Sequence, residues 1–261
     1  MVSDMETVPR ANVELINRRV VAIDGGTATG KGRLIDELSQ LMRLKGIPVV
    51  HLSTGSLYRA VAYVSLMDIK RRISTRGRTD AQITHSALAA LREMVPEKMM
   101  ELAKKKDVSM HGGAVWIGGA PASVEEILKA PGSGMGSSIV SRPVVVREFV
   151  NVVARRQVNE FDGYVLIDGR DTTHVIVPDA SLKLLLTVSP EVAAKRSTEH
   201  TMEEIIARDE ADWSKSYGEL RHSSNPGDGV KVIATDDHTP ESIRDEVYRL
   251  MRSVFPELPR K

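Results

Sequence analysis

The segment Gly25-Gly26-Thr27-Ala28-Thr29-Gly30-Lys31-Gly32 constrains this chain more than any other. It follows Val20-Val21-Ala22-Ile23, an all-apolar run that reads as a strand buried on both faces. It precedes Leu34, Ile35, Leu38, Leu41 and Met42, which recur at the spacing of one helix face. A strand, a turn of the form G-x-x-x-x-G-K and a helix together make a phosphate cradle. Glycines let backbone N–H groups curl round an anion without Cβ clashes. The helix start adds its dipole and unpaired N–H groups. Lys31 adds a point charge that reaches the outer phosphates. The strict motif closes on Ser or Thr, and Gly32 stands in that place here.

The same alternation continues along the chain. Further apolar strands are expected at 48–52, 164–167, 182–188 and 230–234, and helices at 56–67, within 81–105, at 143–161, from 191, and at 240–255. Strands alternating with helices imply a mainly parallel sheet covered by helices. Two stretches break the pattern. Residues 70–141 open with a basic polar break, carry a hairpin signal around His111-Gly112-Gly113, and end in a Gly/Ser-rich run at 130–138 that reads as a flexible joint. Residues 197–229 are polar and charged. The expected division is a tail at 1–17, loose or a short surface helix, and a core at 18–69, 142–196 and 230–261. An insert at 70–141 and a mobile lid at 197–229 complete it.

Bulk properties exclude several function classes. A length of 261 residues suits one or two domains. Lys plus Arg number 36 and Asp plus Glu 35, so the basic excess of a nucleic-acid binder is missing. The basic stretch 70–78 has no interleaved aromatics for base stacking. Without cysteine there is neither a disulfide nor a thiolate metal site. No apolar run approaches the ~20 residues of a membrane helix, and Asp4 and Glu6 speak against a secretory signal. A cytoplasmic monomer that engages neither nucleic acid nor membrane is the expectation.

Several segments carry a family resemblance. The Gly30-Lys31-Gly32 ending resembles that of nucleoside-monophosphate kinases. Asp24-Gly25, Ser53-Thr54-Gly55-Ser56-Leu57-Tyr58-Arg59, and the helix Val144 to Gln157 with Val146-Arg147 resemble segments of the cytidylate kinase family. So do Asp168-Gly169-Arg170-Asp171, Val177-Pro178-Asp179-Ala180, and Ile206-Ala207-Arg208-Asp209 with Asp212. They occur in the family's order over about residues 20 to 236. The resemblance implies an α/β, three-layer P-loop kinase fold with a mainly parallel central sheet, an inserted NMP-binding subdomain and a helical lid. It also implies phosphoryl transfer from ATP, with Mg²⁺, to CMP or dCMP, these nucleotides being the partners.

Residue by residue, it implies that Gly25, Gly26, Thr27, Ala28, Thr29, Gly30, Lys31, Gly32 and Arg33 hold ATP. Lys31, Arg170, Arg208 and Lys215 would supply catalytic charge. Arg59 and Arg170 would hold the acceptor phosphate, for which guanidinium forks are suited. Thr54 and Tyr58 belong to the same acceptor segment. Ser138, Arg147 and Asp171 would face the pyrimidine, Asp212 the ribose. Asp168, ending an apolar strand, would orient the water shell of Mg²⁺.

The chain departs from the family pattern at four places. Arg33 stands where the family has Thr or Ser, a cation at a helix start that the dipole disfavours unless an anion is bound. Ser53 replaces Asp, and Lys215 replaces a lid Arg and so loses the bidentate fork. Residues 107–135 match the family's insert poorly. These departures keep two other readings open. One is a kinase for a different acceptor, UMP or a non-nucleotide; the other is a nucleotide-binding protein with little catalysis.

Overall fold

The computed structural model describes residues 15–123, 127, 130–197, 201–213 and 224–260, and of residues 208 and 211–213 only the backbone. The described chain divides into two compact units. One holds the residues up to Leu52 and from Val158 on; the other is Ser53–Gln157. The second is wider than the insert expected at 70–141, because the helix after Ser53 packs with it.

The first unit is built on β1 (Val20–Gly25), β2 (Val49–Ser53), β6 (Tyr164–Gly169), β7 (Leu182–Thr187) and β8 (Val230–Ala234). Their order across the sheet is β2-β6-β1-β7-β8. The β1–β6, β1–β7 and β7–β8 pairs are parallel. All six residues of β1 are buried, as a strand covered on both faces requires. Asp24 lies opposite Gly169 and Gly25 opposite Leu186. The loops leaving β1 and β6 therefore open at one edge of the sheet, where ligands of parallel α/β sheets bind.

Helices α1 (Lys31–Leu44) and α9 (Pro240–Val254) build the core of this unit. Leu34, Ile35, Leu38 and Met42 meet Val21, Ile23, Leu184 and Leu186 of the sheet, with Val247, Tyr248 and Met251 of α9. The α9 start is fixed by Thr239, whose side chain accepts from the Ser242 N–H, with Pro240 in the first turn. Between β6 and β7 runs a π-helical turn, Thr172–Ile176. Helix α7 (Pro190–Arg196) packs on α8 (Met202–Trp213).

The expected tail is corrected at its last residues. Leu15 is buried. The Asn17 side-chain amide donates to the carbonyls of Val158, Phe161 and Gly163 at 3.0 to 3.2 Å. One short polar side chain thus closes three backbone acceptors at a helix end. Residues 1–14 lie outside the described residues.

The second unit contains α2 (Thr54–Lys70), α3 (Asp80–Arg92), α4 (Pro96–Lys105), α5 (Ser133–Val140) and most of α6 (Val144–Glu160). A small antiparallel sheet of β3 (Ser109–His111), β4 (Ala114–Ile117) and β5 (Ala120–Pro121) adds the expected hairpin and one short strand. The flexible joint expected at 130–138 is instead largely helix α5. A Cβ at Gly136 would sit 3.1 Å from Ala62 and 3.2 Å from Leu66, so glycine there serves close packing of α5 on α2. Gly132, in the left-handed region at φ 87°, makes the turn into α5.

Candidate active site

The loop between β1 and α1 has the conformation that its glycines allow. Ala28 and Gly30 are left-handed, at φ 55° and 87°. A Cβ at Gly25 would lie 2.7 Å from the Leu186 carbonyl oxygen, so the close approach of β7 demands glycine there. Leu34 N–H donates to the Gly30 carbonyl at 3.0 Å and begins the helical ladder.

Lys31 is folded into this loop. Its Nζ donates to the Gly25 carbonyl at 2.5 Å, the Gly26 carbonyl at 2.8 Å and Thr29 Oγ1 at 3.3 Å. Burial, and then the nearby Arg170 guanidinium, push its pKa down to about 8, against the fields of Asp168, Asp24 and Asp209.

Asp24 fixes the geometry around it. Fully buried, its carboxylate accepts from the N–H groups of Thr172 and Thr173, both at 2.9 Å, and from both their hydroxyls. Four donors on two oxygens satisfy a buried charge and tie the end of β1 to the turn after Arg170-Asp171. Arg170 then reaches the phosphate loop, its guanidinium 3.2 Å from Thr27 Oγ1 and 3.2 Å from Asp209 Oδ1. Asp209 Oδ1 also accepts from the Thr27 N–H and hydroxyl at 3.2 and 3.1 Å. Asp171 is buried. At the end of β6, Asp168 Oδ1 shares a 2.7 Å hydrogen bond with His51 Nε2.

A cavity of ≈ 380 Å³ opens beside the loop. Ala28, Thr29, Gly30, Leu34, Pro240 and Ile243 supply its apolar and backbone walls, and Arg33, Arg196 and His238 its polar ones. Arg33 is not unbalanced at its helix start. Its Nε donates to Glu37 Oε1 at 2.7 Å, which raises its pKa.

In the second unit, Thr54 and Tyr58 are buried on α2 and Arg59 is half-buried on the same helix. Arg147 is buried and donates to the Ser141 carbonyl at 2.9 Å. Ser138 is exposed, its hydroxyl bonded 3.4 Å away to the Gly134 carbonyl. The side chains of Arg208 and Asp212, and all of Lys215, fall outside the described residues.

In the sequence, Asp24, Thr172, Thr173, His51 and Asp209 carry no assigned role. For Asp24 a signal was present: an acid directly after a fully apolar run must find donors in the fold. Thr172-Thr173 follows Asp171 as two adjacent hydroxyls, without periodicity to mark them. His51 and Asp168 are 117 residues apart, and only strand order brings them together.

The family model described as cytidylate kinase matches residues 21–253. The chain is similar to a cytidylate kinase of Caldanaerobacter subterraneus, 30% identical over 91% of this chain and 97% of that one. It is also similar to a cytidylate kinase of Thermodesulfovibrio yellowstonii, 29% identical over 80% of this chain and 88% of the relative. A cytidylate kinase of Thermotoga maritima is 26% identical, over 89% and 96%. With the match running from β1 through the phosphate loop and into α9, the chain belongs to the cytidylate kinase family.

Proposed function

We propose that this protein transfers the γ-phosphoryl group of ATP to CMP or dCMP, giving ADP and the nucleoside diphosphate. The observation that carries the reading is the loop from Gly25 to Gly32 with Lys31 inside it and Arg170 against it, in a chain of the cytidylate kinase family. The backbone of Gly25 to Arg33 cradles the donor phosphates, and the cavity between Leu34, Arg196, His238 and Ile243 takes the donor nucleoside. Lys31 turns from the Gly25 and Gly26 carbonyls to the phosphate oxygens, exchanging neutral acceptors for anionic ones.

Arg59 and Arg170 hold the acceptor phosphate as guanidinium forks. Ser138, Arg147 and Asp171 read the pyrimidine, Thr54 and Tyr58 line the acceptor site, and Asp212 takes the ribose hydroxyls. Arg208 and Lys215 complete the positive charge around the transferred group. Phosphoryl transfer needs little covalent help from protein, so positioning and charge supply the catalysis. Residues 197–229 act as the lid and 70–141 as the acceptor-binding insert, and closure excludes water.

The acidic groups near Lys31 fit a Mg²⁺ that keeps most of its waters. Asp168, at the end of β6 with Oδ1 on His51, would hold the ion through water. When bound, the ion supplies neutralisation of phosphate charge. Among the described residues no cluster of three acids or histidines forms a direct metal cage. The enzyme acts as a cytoplasmic monomer on free nucleotides.

The decisive experiment couples ADP release to a panel of acceptors with MgATP. CMP or dCMP is expected to give the fastest turnover. The absence of stimulation by CMP, dCMP and UMP alike would overturn the proposal.

A further inference from the structure

Asp209 lies on α8, and its carboxylate is seated on the phosphate loop. Oδ1 accepts from the Thr27 backbone N–H at 3.2 Å, the Thr27 hydroxyl at 3.1 Å and the Arg170 guanidinium at 3.2 Å. Oδ2 lies over Gly26, where an added Cβ would be 2.4 Å away. The side chain is 16% exposed, so water competes little for it. Each partner is of the kind that binds a phosphate oxygen: a loop N–H, a hydroxyl and a guanidinium. A carboxylate oxygen matches a phosphate oxygen in charge and in lone-pair demand. Gly26 leaves the room above the loop that this carboxylate uses.

We propose that Asp209 is an internal phosphate mimic, occupying on the loop the place of a nucleotide phosphate oxygen, so that a polyphosphate binds by displacing it. The inference rests on the reading of this loop as the donor phosphate site. Binding is then an exchange. The polyphosphate takes over the Thr27 N–H and the Arg170 guanidinium, and Asp209 leaves with α8. Without nucleotide, the carboxylate gives the Thr27 N–H and the Arg170 guanidinium an anionic acceptor. The cost is weaker apparent affinity, reduced by the fraction of molecules in which the carboxylate is away.

The test is calorimetric titration of the full chain with tripolyphosphate and with ATP. It compares the natural protein with Asp209→Asn, Asp209→Ala and Glu210→Gln. Glu210 is exposed on the same helix, so its variant removes one negative charge without touching the loop. Both Asp209 variants are expected to bind tripolyphosphate about 10-fold or more tighter, and Glu210→Gln within about 2-fold of the natural protein. Amide hydrogen exchange adds a readout that needs no variant: Thr27 N–H exchanges slowly without ligand, and fast in Asp209→Ala. Asp209 variants that bind no tighter than Glu210→Gln, or more weakly, overturn the mimic and leave the kinase reading standing. Fast Thr27 exchange in the natural protein overturns it also. If neither the natural protein nor the variants bind tripolyphosphate or ATP, the donor-site reading fails and the mimic with it.

Discussion

Lys31 and Asp24 show two ways of keeping a charge inside a phosphate loop. Asp24 is saturated by four donors, whereas Lys31 leans on two carbonyls and a hydroxyl and has its pKa pushed down to about 8 by burial and by Arg170. The sign of the pH effect follows. A lysine with a folded pKa below its unfolded value of 10.5 binds fewer protons when folded, so stability rises as pH climbs from about 8 towards 10.5. Donor capture runs the other way, since it needs the ammonium. The kcat/KM for ATP should fall above about pH 8, because it reports the free enzyme. The kcat should hold to higher pH, because bound phosphate restores the charge. A pH–rate profile with identical alkaline limbs for both parameters would contradict this. Replacing Lys31 by Ala should cost about 10²-fold or more in kcat. Asp24→Ala strands four buried donors and should lower stability by about 3–5 kcal/mol in urea unfolding.

At the scale of elements, α5 shows where composition misleads. The run Gly132-Ser133-Gly134-Met135-Gly136 has the make-up of a joint, since glycine raises the entropy of a free chain. Packing reverses its meaning, because the missing Cβ lets α5 settle close to Ala62 and Leu66 of α2. Gly136→Val should therefore overpack this contact and cost about 1–3 kcal/mol, read as a lower urea midpoint by circular dichroism. An unchanged midpoint would return the segment to a joint. Where the signal is local, the element is plain from sequence: α9 begins at Pro240 behind its Thr239 cap, and β8 spans Val230–Ala234, although only Ile233 of that strand is buried. The acid at 209 has no such mark, because its partner Thr27 is 182 residues away and is reached only through the placing of α8.

Across the first unit, the parallel sheet separates stability from chemistry. The loops with Lys31 and Arg170 leave the C-terminal ends of β1 and β6, whereas Asn17 works just before β1 and at the start of β6. Asn17→Ala leaves three carbonyls without that donor and should destabilise by about 1–3 kcal/mol, with kcat of the folded enzyme unchanged. Arg170→Met should do the reverse, lowering kcat about 10²-fold or more with little change in urea midpoint. Measuring both variants in both assays checks the separation; a kcat defect in Asn17→Ala would break it.

The sequence by itself determined the alternation of strands and helices, the phosphate loop and the family, because each is written in neighbouring residues: apolar runs, a glycine pattern, a lysine at a fixed step. Tertiary structure alone decided what the charges do. Asp24 meets Thr172 and Thr173, His51 meets Asp168, and Asp209 meets Thr27 and Arg170, each pair far apart in the chain. The physical reason is that periodicity reports which residues are buried, whereas a buried charge is settled by whichever donors the fold delivers to it.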